Sequence, residues 1–400
     1  MNEKKASRRS DYDYTLFVPF LVHSTLVQVI TGLTRVTTSY RALELELPVS
    51  WYGAISSGYA LLPIFLALPL GRWIDRGRDA HAIWLGAAFT LTANVGFYFF
   101  PIDAWRLLLF TVIGGVGHLC LMAGHQMFAL RCSGPISREN VFGTYMVTLA
   151  LGQMIGPIAI AWMSGDALRP PTDRLFLLAL CVAVVTAVLS AAMRPARAEG
   201  GKKAGGEPVS LGDLLRVRGL VSVILASVVT VTAMDLIVIY LPLLGAQRGL
   251  GAAHVGLLLT TRAVASIASR LFYARLMARL GRVNLTLISM FAGAIGFATM
   301  AAPTPLPVMY AAQALMGFGL GLAVVLCLSN VVDLAPVNAR ATAMTMRLTG
   351  NRMGQFAIPL LAGFLGAAGG VGSIMTLTAL ALGGSALAVR SAYRKRGSGG

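Results

Sequence analysis

Twelve apolar runs of about twenty residues punctuate this chain, at roughly 14–34, 50–70, 82–101, 107–130, 143–164, 174–193, 219–244, 253–273, 283–302, 307–332, 341–365 and 372–391. A run of that length is what an α-helix needs to cross a hydrocarbon layer about 30 Å thick. Strands are excluded, because polarity does not alternate over segments of about ten residues and the runs are twice that length. Composition points the same way. The 400 residues are 56% hydrophobic and only 12% charged, against about 45–50% apolar and about 25% charged in soluble domains. The expected fold is therefore all-α and integral to a membrane, with twelve transmembrane helices.

The short segments between the runs orient the bundle. One set of alternate segments carries 23 basic residues, among them Lys4, Lys5, Arg8, Arg9, Arg72, Arg76, Arg78, Arg131, Arg138, Arg275, Arg279, Arg282 and Arg340. The opposite set carries only Arg41, Arg106, Arg169, Arg174 and Arg248. Basic loops stay in the cytoplasm, so both termini are expected there, in a multi-pass inner (plasma) membrane protein. The net charge of +17 is spread along these loops, which argues against a nucleic-acid partner. The first run is too long for a cleaved leader and lacks a small-residue cleavage site, so it is read as a retained helix. Cys120, Cys132, Cys181 and Cys327 form no CxxC pair and lie in or beside apolar runs, as small packing residues do.

The two halves repeat each other. "GGVG" (Gly115, Gly117) matches "GFGLG" (Gly317, Gly319), and "GQMIGP" (Gly152, Gln153, Pro157) matches "GQFAIP" (Gly354, Gln355, Pro359), both at an offset of 202. "GRWIDRGR" matches "ARLMARLGR" with Arg76 against Arg279, at 203. Residues 1–193 and 219–391 thus read as two six-helix bundles. They are joined by a Gly-rich basic linker, 194–218, of the kind that stays flexible, and followed by a tail, 392–400. Parallel six-helix repeats place a substrate site near the midplane, between the halves.

At this level the chain resembles the major facilitator superfamily of secondary transporters along its whole length. The loop Gly71-Arg72-Trp73-Ile74-Asp75-Arg76-Gly77-Arg78 is similar to that family's G-x-x-x-D-R-x-G-R, one residue short between Arg76 and Gly77. The second copy, Ala274 to Arg282, lacks the leading glycine and has Ala278 in place of the aspartate. The resemblance implies a gating latch built from Gly71, Asp75, Arg76 and Arg78. Asp75 is expected to pair with Arg76 or Arg131, with Asp333 at the position equivalent to Arg131. Gly152, Gly156 and Pro157 resemble the family's antiporter signature, although Ile160 and Ala161 replace its last two glycines. The arginine that many proton-coupled members carry in the fourth helix is Thr111 here, with Gln313 as its counterpart.

Inside the runs the charges are few. Arg352 lies twelve residues beyond Arg340, about 18 Å at 1.5 Å per residue and near the midplane. A charge there costs about 2.5–3.5 kcal/mol and is too deep to reach the interface, so it needs a polar cavity or a carboxylate. Asp235 is the deep acid, and Arg35, Arg262 and Arg347 are further bases within spans. On one reading Arg352, Arg35 and Arg262, with Asn351, Gln355 and Gln126, bind an anionic or zwitterionic substrate. Asp235 then carries protons, together with His118 and His125, which lie seven apart in the fourth span. On the other, Asp235 and one arginine form a structural interhelical pair, and Asn351 and Gln355 bond across helices.

No P-loop, triad or metal-ligand spacing occurs, so neither enzyme chemistry nor a cofactor is expected. The sequence thus predicts a bacterial-type, monomeric secondary transporter working by alternating access. Its partners are a small organic molecule, protons and the lipid bilayer, and export by antiport is favoured. Multidrug efflux of amphipathic or cationic compounds through Asp235, proton-coupled uptake, and a non-transporting receptor or scaffold are the competing expectations.

Overall fold

The computed structural model describes residues 14–101, 103–132, 138–194, 211–217, 219–336 and 339–397. The basic residues at 4–9, most of the linker and the last three residues lie outside that set. All regular structure among the described residues is helical. The N-terminal half comprises α1 (Tyr14–Glu44), α2 (Val49–Ile74), α3 (Asp79–Phe99), α4 (Ala104–Cys132), α5 (Arg138–Ser164) and α6 (Thr172–Ser190). A short α7 (Leu211–Arg216) precedes α8 (Leu220–Gln247), α9 (Ala252–Ala301), α10 (Leu306–Leu334) and α11 (Arg340–Gly397).

Ten of these helices are long and apolar enough to span a bilayer. Two of the ten hold two spans each, because α9 and α11 run through glycines with left-handed backbone, Gly281 (φ 70°) and Gly370 (φ 73°). Only glycine takes that conformation cheaply, so each reverses the chain without a loop. The expected twelve spans are therefore present, four of them as limbs of α9 and α11. The linker is not uniformly loose: α7 lies within it, and Leu214 is fully buried.

Helices suit this setting because they satisfy the backbone internally where no water can. Hydroxyls do likewise, as Thr31 and Thr37 donate to the carbonyls of Val27 and Leu33, one turn back. The outward surface is apolar: Trp162 is 86% exposed and Leu271 75%. Water would penalise such a surface, whereas lipid matches it.

The sequence repeat is also a repeat of contacts. Gly115 presses on the Tyr59 backbone, and Gly317 on the Arg262 backbone, both pairs being about 202–203 residues apart. The halves meet in the same symmetric way at the end opposite the basic loops. A Cβ on Gly256 would lie 2.7 Å from the Pro157 carbonyl oxygen. Its mate Gly53 sits against the Pro359 carbonyl and leaves a Cβ only 2.9 Å from the Gly363 Cα. Ser57 adds a 2.6 Å bond to the Phe356 carbonyl, and the Ala252 amide donates to the Ala167 carbonyl at 2.8 Å. That end is closed by direct backbone approach.

Candidate functional site

Five helices converge at mid-depth. Arg35 on α1 donates from Nη1 to Asp235 Oδ1 on α8 at 2.5 Å, an ion pair bridging the two halves. The other oxygen, Oδ2, accepts from Gln355 Nε2 on α11 at 2.8 Å, and Gln355 Oε1 accepts from Arg352 Nη1 at 3.2 Å. The Arg35 guanidinium lies 5.2 Å from the centre of the Tyr59 ring on α2, a cation–π contact. Arg262 on α9 lines a cavity of about 100 Å³ together with Arg35, Asp235, Gln28 and Gln153. Its Nε is buried and bonds to nothing. Three arginines thus surround one carboxylate, and at least one guanidinium nitrogen is left for something else.

The structure brings together Arg35, Arg262, Arg352, Gln355 and Asp235. It sends the other candidates elsewhere. Asn351 accepts from Ser227 Oγ on α8 at 3.1 Å, and Arg347 donates to the same Ser227 oxygen at 3.2 Å, so both tie α11 to α8. Gln126 is exposed and is not part of the central cavity wall. The two histidines of α4 part company. His118 packs beside Tyr59, 5.5 Å between ring centres, in a small cavity that also touches Arg35. His125 is fully buried and faces away, its Nε2 2.8 Å from His23 Nδ1, whose Nε2 is 2.9 Å from Ser190 Oγ. Sequence reasoning passed over Tyr59. The repeat could have found it, since Tyr59 stands 203 residues before Arg262 and meets Gly115 as Arg262 meets Gly317.

At the basic end, Asp75 is the C-cap residue of α2, and Asp75, Arg76 and Arg78 are exposed. Here an expectation is corrected. Arg131 pairs not with Asp75 but with buried Asp79, at 3.1 Å, because Asp79 opens α3 directly beside the end of α4. Arg131 also donates to the Arg194 carbonyl at 2.6 Å. The second half holds the mirror pair with charges exchanged: Asp333, at the end of α10, meets Arg282 at 3.1 Å. Tyr393 donates to the same carboxylate at 3.3 Å.

Two six-helix halves, closed on each other at one end and enclosing a charged cleft at mid-membrane, define a membrane transporter of small molecules. The family is shown by its profile, which matches residues 13–254 and again 223–398, so the chain belongs to the Major Facilitator Superfamily. The crystal structure of the nucleoside transporter NupG is similar at a TM-score of 0.75 and 13% identity, covering 94% of this chain and 99% of that one. A bacterial homologue of the human lysosomal transporter Spinster, in an inward-facing and occupied conformation, gives 0.75 at 13% identity, with 96% and 97% covered. A POT family transporter in complex with 5-aminolevulinic acid gives 0.73 at 14%, with 94% and 95% covered. At such identities the likeness shows the fold. None of the curated proteins matches this chain.

Proposed function

We propose that this transporter carries small organic anions or zwitterions across a bacterial-type inner membrane, basic end to the cytoplasm, coupled to protons through Asp235. The observation that carries the reading is the Arg35–Asp235 pair, which crosses between the halves inside a cavity shared with Arg262. Arginine offers a forked, permanently charged donor set suited to carboxylate and phosphate. A substrate anion held by Arg35 from one half and by Arg352 and Arg262 from the other would draw the halves together around it.

Asp235 and such an anion compete for the same guanidinium. Protonation of Asp235 removes the competitor, so proton and anion bind better together than apart. That linkage moves them in the same direction and favours proton-driven uptake. Antiport is the second reading, favoured by Gly152, Gly156 and Pro157, and by any zwitterion whose ammonium takes the place of the proton on Asp235. Recognition of lipophilic cations by Asp235 is less supported, because both of its oxygens are already engaged.

The test is flux in proteoliposomes with imposed pH gradients, using organic acids, zwitterions, sugars and lipophilic cations chosen by thermal stabilisation of the purified protein. Acids are expected to accumulate down an inward proton gradient. Arg352→Ala should abolish both stabilisation and flux, and Asp235→Asn should keep anion exchange while losing its acceleration by the gradient. Accumulation against the proton gradient would establish antiport instead. Stabilisation by cations that vanishes in Asp235→Asn would sink the anion reading.

A further inference from the structure

A second cavity of about 40 Å³, bordered by Arg35 but not by Asp235, lies wholly among α1, α2, α3 and α4. Thr31 and Arg35 line it as well as the central cavity, so the two spaces adjoin at Arg35. Most of its polar wall is already satisfied. Thr111 donates to the Leu107 carbonyl at 2.7 Å, Asn94 Nδ2 to the Thr90 carbonyl at 2.8 Å, and Thr34 to Asn94 Oδ1 at 3.4 Å. His118 is different: both of its ring nitrogens are buried, and neither has a hydrogen-bond partner.

A neutral imidazole offers one donor and one acceptor, and burying both unmet is costly. The space exceeds the roughly 10–15 Å³ that a single water requires, so it accepts a small polar group. Tyr59 and the rings of Phe97 and Phe110 close the remainder. A hydroxyl or a primary amide, which both donates and accepts, fits this opening in size and in bonding. A methyl would fit the space and leave His118 unmet.

Resting on the anion reading of the central site, we propose that this cavity is a specificity subsite. It selects organic acids carrying a neutral hydroxyl or carboxamide away from the carboxylate, with His118 as the group that reads it. The anion is held at Arg35, and the neutral arm enters the N-terminal half.

Matched pairs test this in the purified full-length protein: benzoate with 4-hydroxybenzoate, hexanoate with 6-hydroxyhexanoate, and pentanoate with succinamate. Affinities come from thermal-shift titration, repeated in His118→Phe and His118→Gln. The wild type is expected to favour the hydroxyl- or amide-bearing member of at least one pair by about tenfold or more. His118→Phe should reduce that preference to within about twofold, and His118→Gln, which keeps a donor and an acceptor, should retain most of it. Equal binding of both members in every pair would overturn the subsite while leaving the anion reading intact. Failure of all six acids to stabilise the protein would overturn both. A preference that survives His118→Phe would assign the recognition elsewhere and overturn the role of His118. Should His118→Phe not fold, loss of the preference in His118→Gln would equally count against it.

Discussion

Asp235 stands alone among three arginines, and the imbalance has a measurable consequence. Removing Arg35 leaves the carboxylate bonded to Gln355, with Arg262 across the same cavity. Removing the carboxylate leaves three cations facing one another with no counter-charge. Unpairing a buried charge typically costs about 3–5 kcal/mol, so Asp235→Asn should lower the unfolding midpoint distinctly more than Arg35→Gln. The double variant should be less damaged than the sum of the two, because it removes one of the stranded cations along with the anion. Thermal unfolding of the four proteins in detergent checks this, and a larger loss for Arg35→Gln would refute the electrostatic account. The depth of Arg352, Arg35, Arg262 and Asp235 was legible in the sequence, since depth is a count of residues along a helix. Azimuth was not. Asn351 and Gln126 lie at suitable depths, yet one faces α8 and the other is exposed. The seven-residue spacing of His118 and His125 puts them on nearly one face, but His125 meets His23, which no spacing within α4 could reveal.

Among the helices, the tightest approaches at the end away from the basic loops are made by two glycines, each against the carbonyl of a proline within a helix. Gly256 meets the Pro157 oxygen, and Gly53 meets the Pro359 oxygen, in positions related by the repeat. A side chain at either position cannot fit without separating α2 from α11 or α5 from α9. Val at Gly53 or at Gly256 is therefore expected to open that end and shift the population toward the opposite state, with the folded bundle retained because the packing within each half is untouched. Labelling of a single cysteine placed at Ser50 or at Ala161 should rise several-fold in the variants. Unchanged labelling would show that the close approach does not hold this end shut. The repeat, the number of spans and the glycines were visible in the sequence because each is a local pattern. What each glycine touches was not, since Gly53 and Pro359 are 306 positions apart and no local pattern joins them. The turns at Gly281 and Gly370 were expected as loops and are tighter than that: in each a single glycine with positive φ and non-helical backbone breaks the helix between two spans.

For the molecule as a whole, the asymmetry between its two ends is the feature that permits transport. One end is sealed by backbone contact between the halves. At the other, the ion pairs Arg131–Asp79 and Arg282–Asp333 each stay within one half, and Asp75, Arg76 and Arg78 at the end of α2 are exposed. Each half is thus stapled to itself at the basic end, with opposite charge order, and among the described residues neither of these pairs joins the halves. Two-fold symmetry of the closed contacts means that a rocking motion can exchange the closed and open ends without unfolding either bundle. Spin labels at Arg72 and Arg340 would report the basic end, and labels at Pro48 and Ala367 the opposite end, all four positions being exposed. A transported acid should shift the first pair toward shorter and the second toward longer distances in the same sample, because one rigid rotation produces both. Asp75→Asn should weaken the short-distance population of the first pair and leave the second long. Distances that respond at one end alone would mean that the halves flex rather than rock.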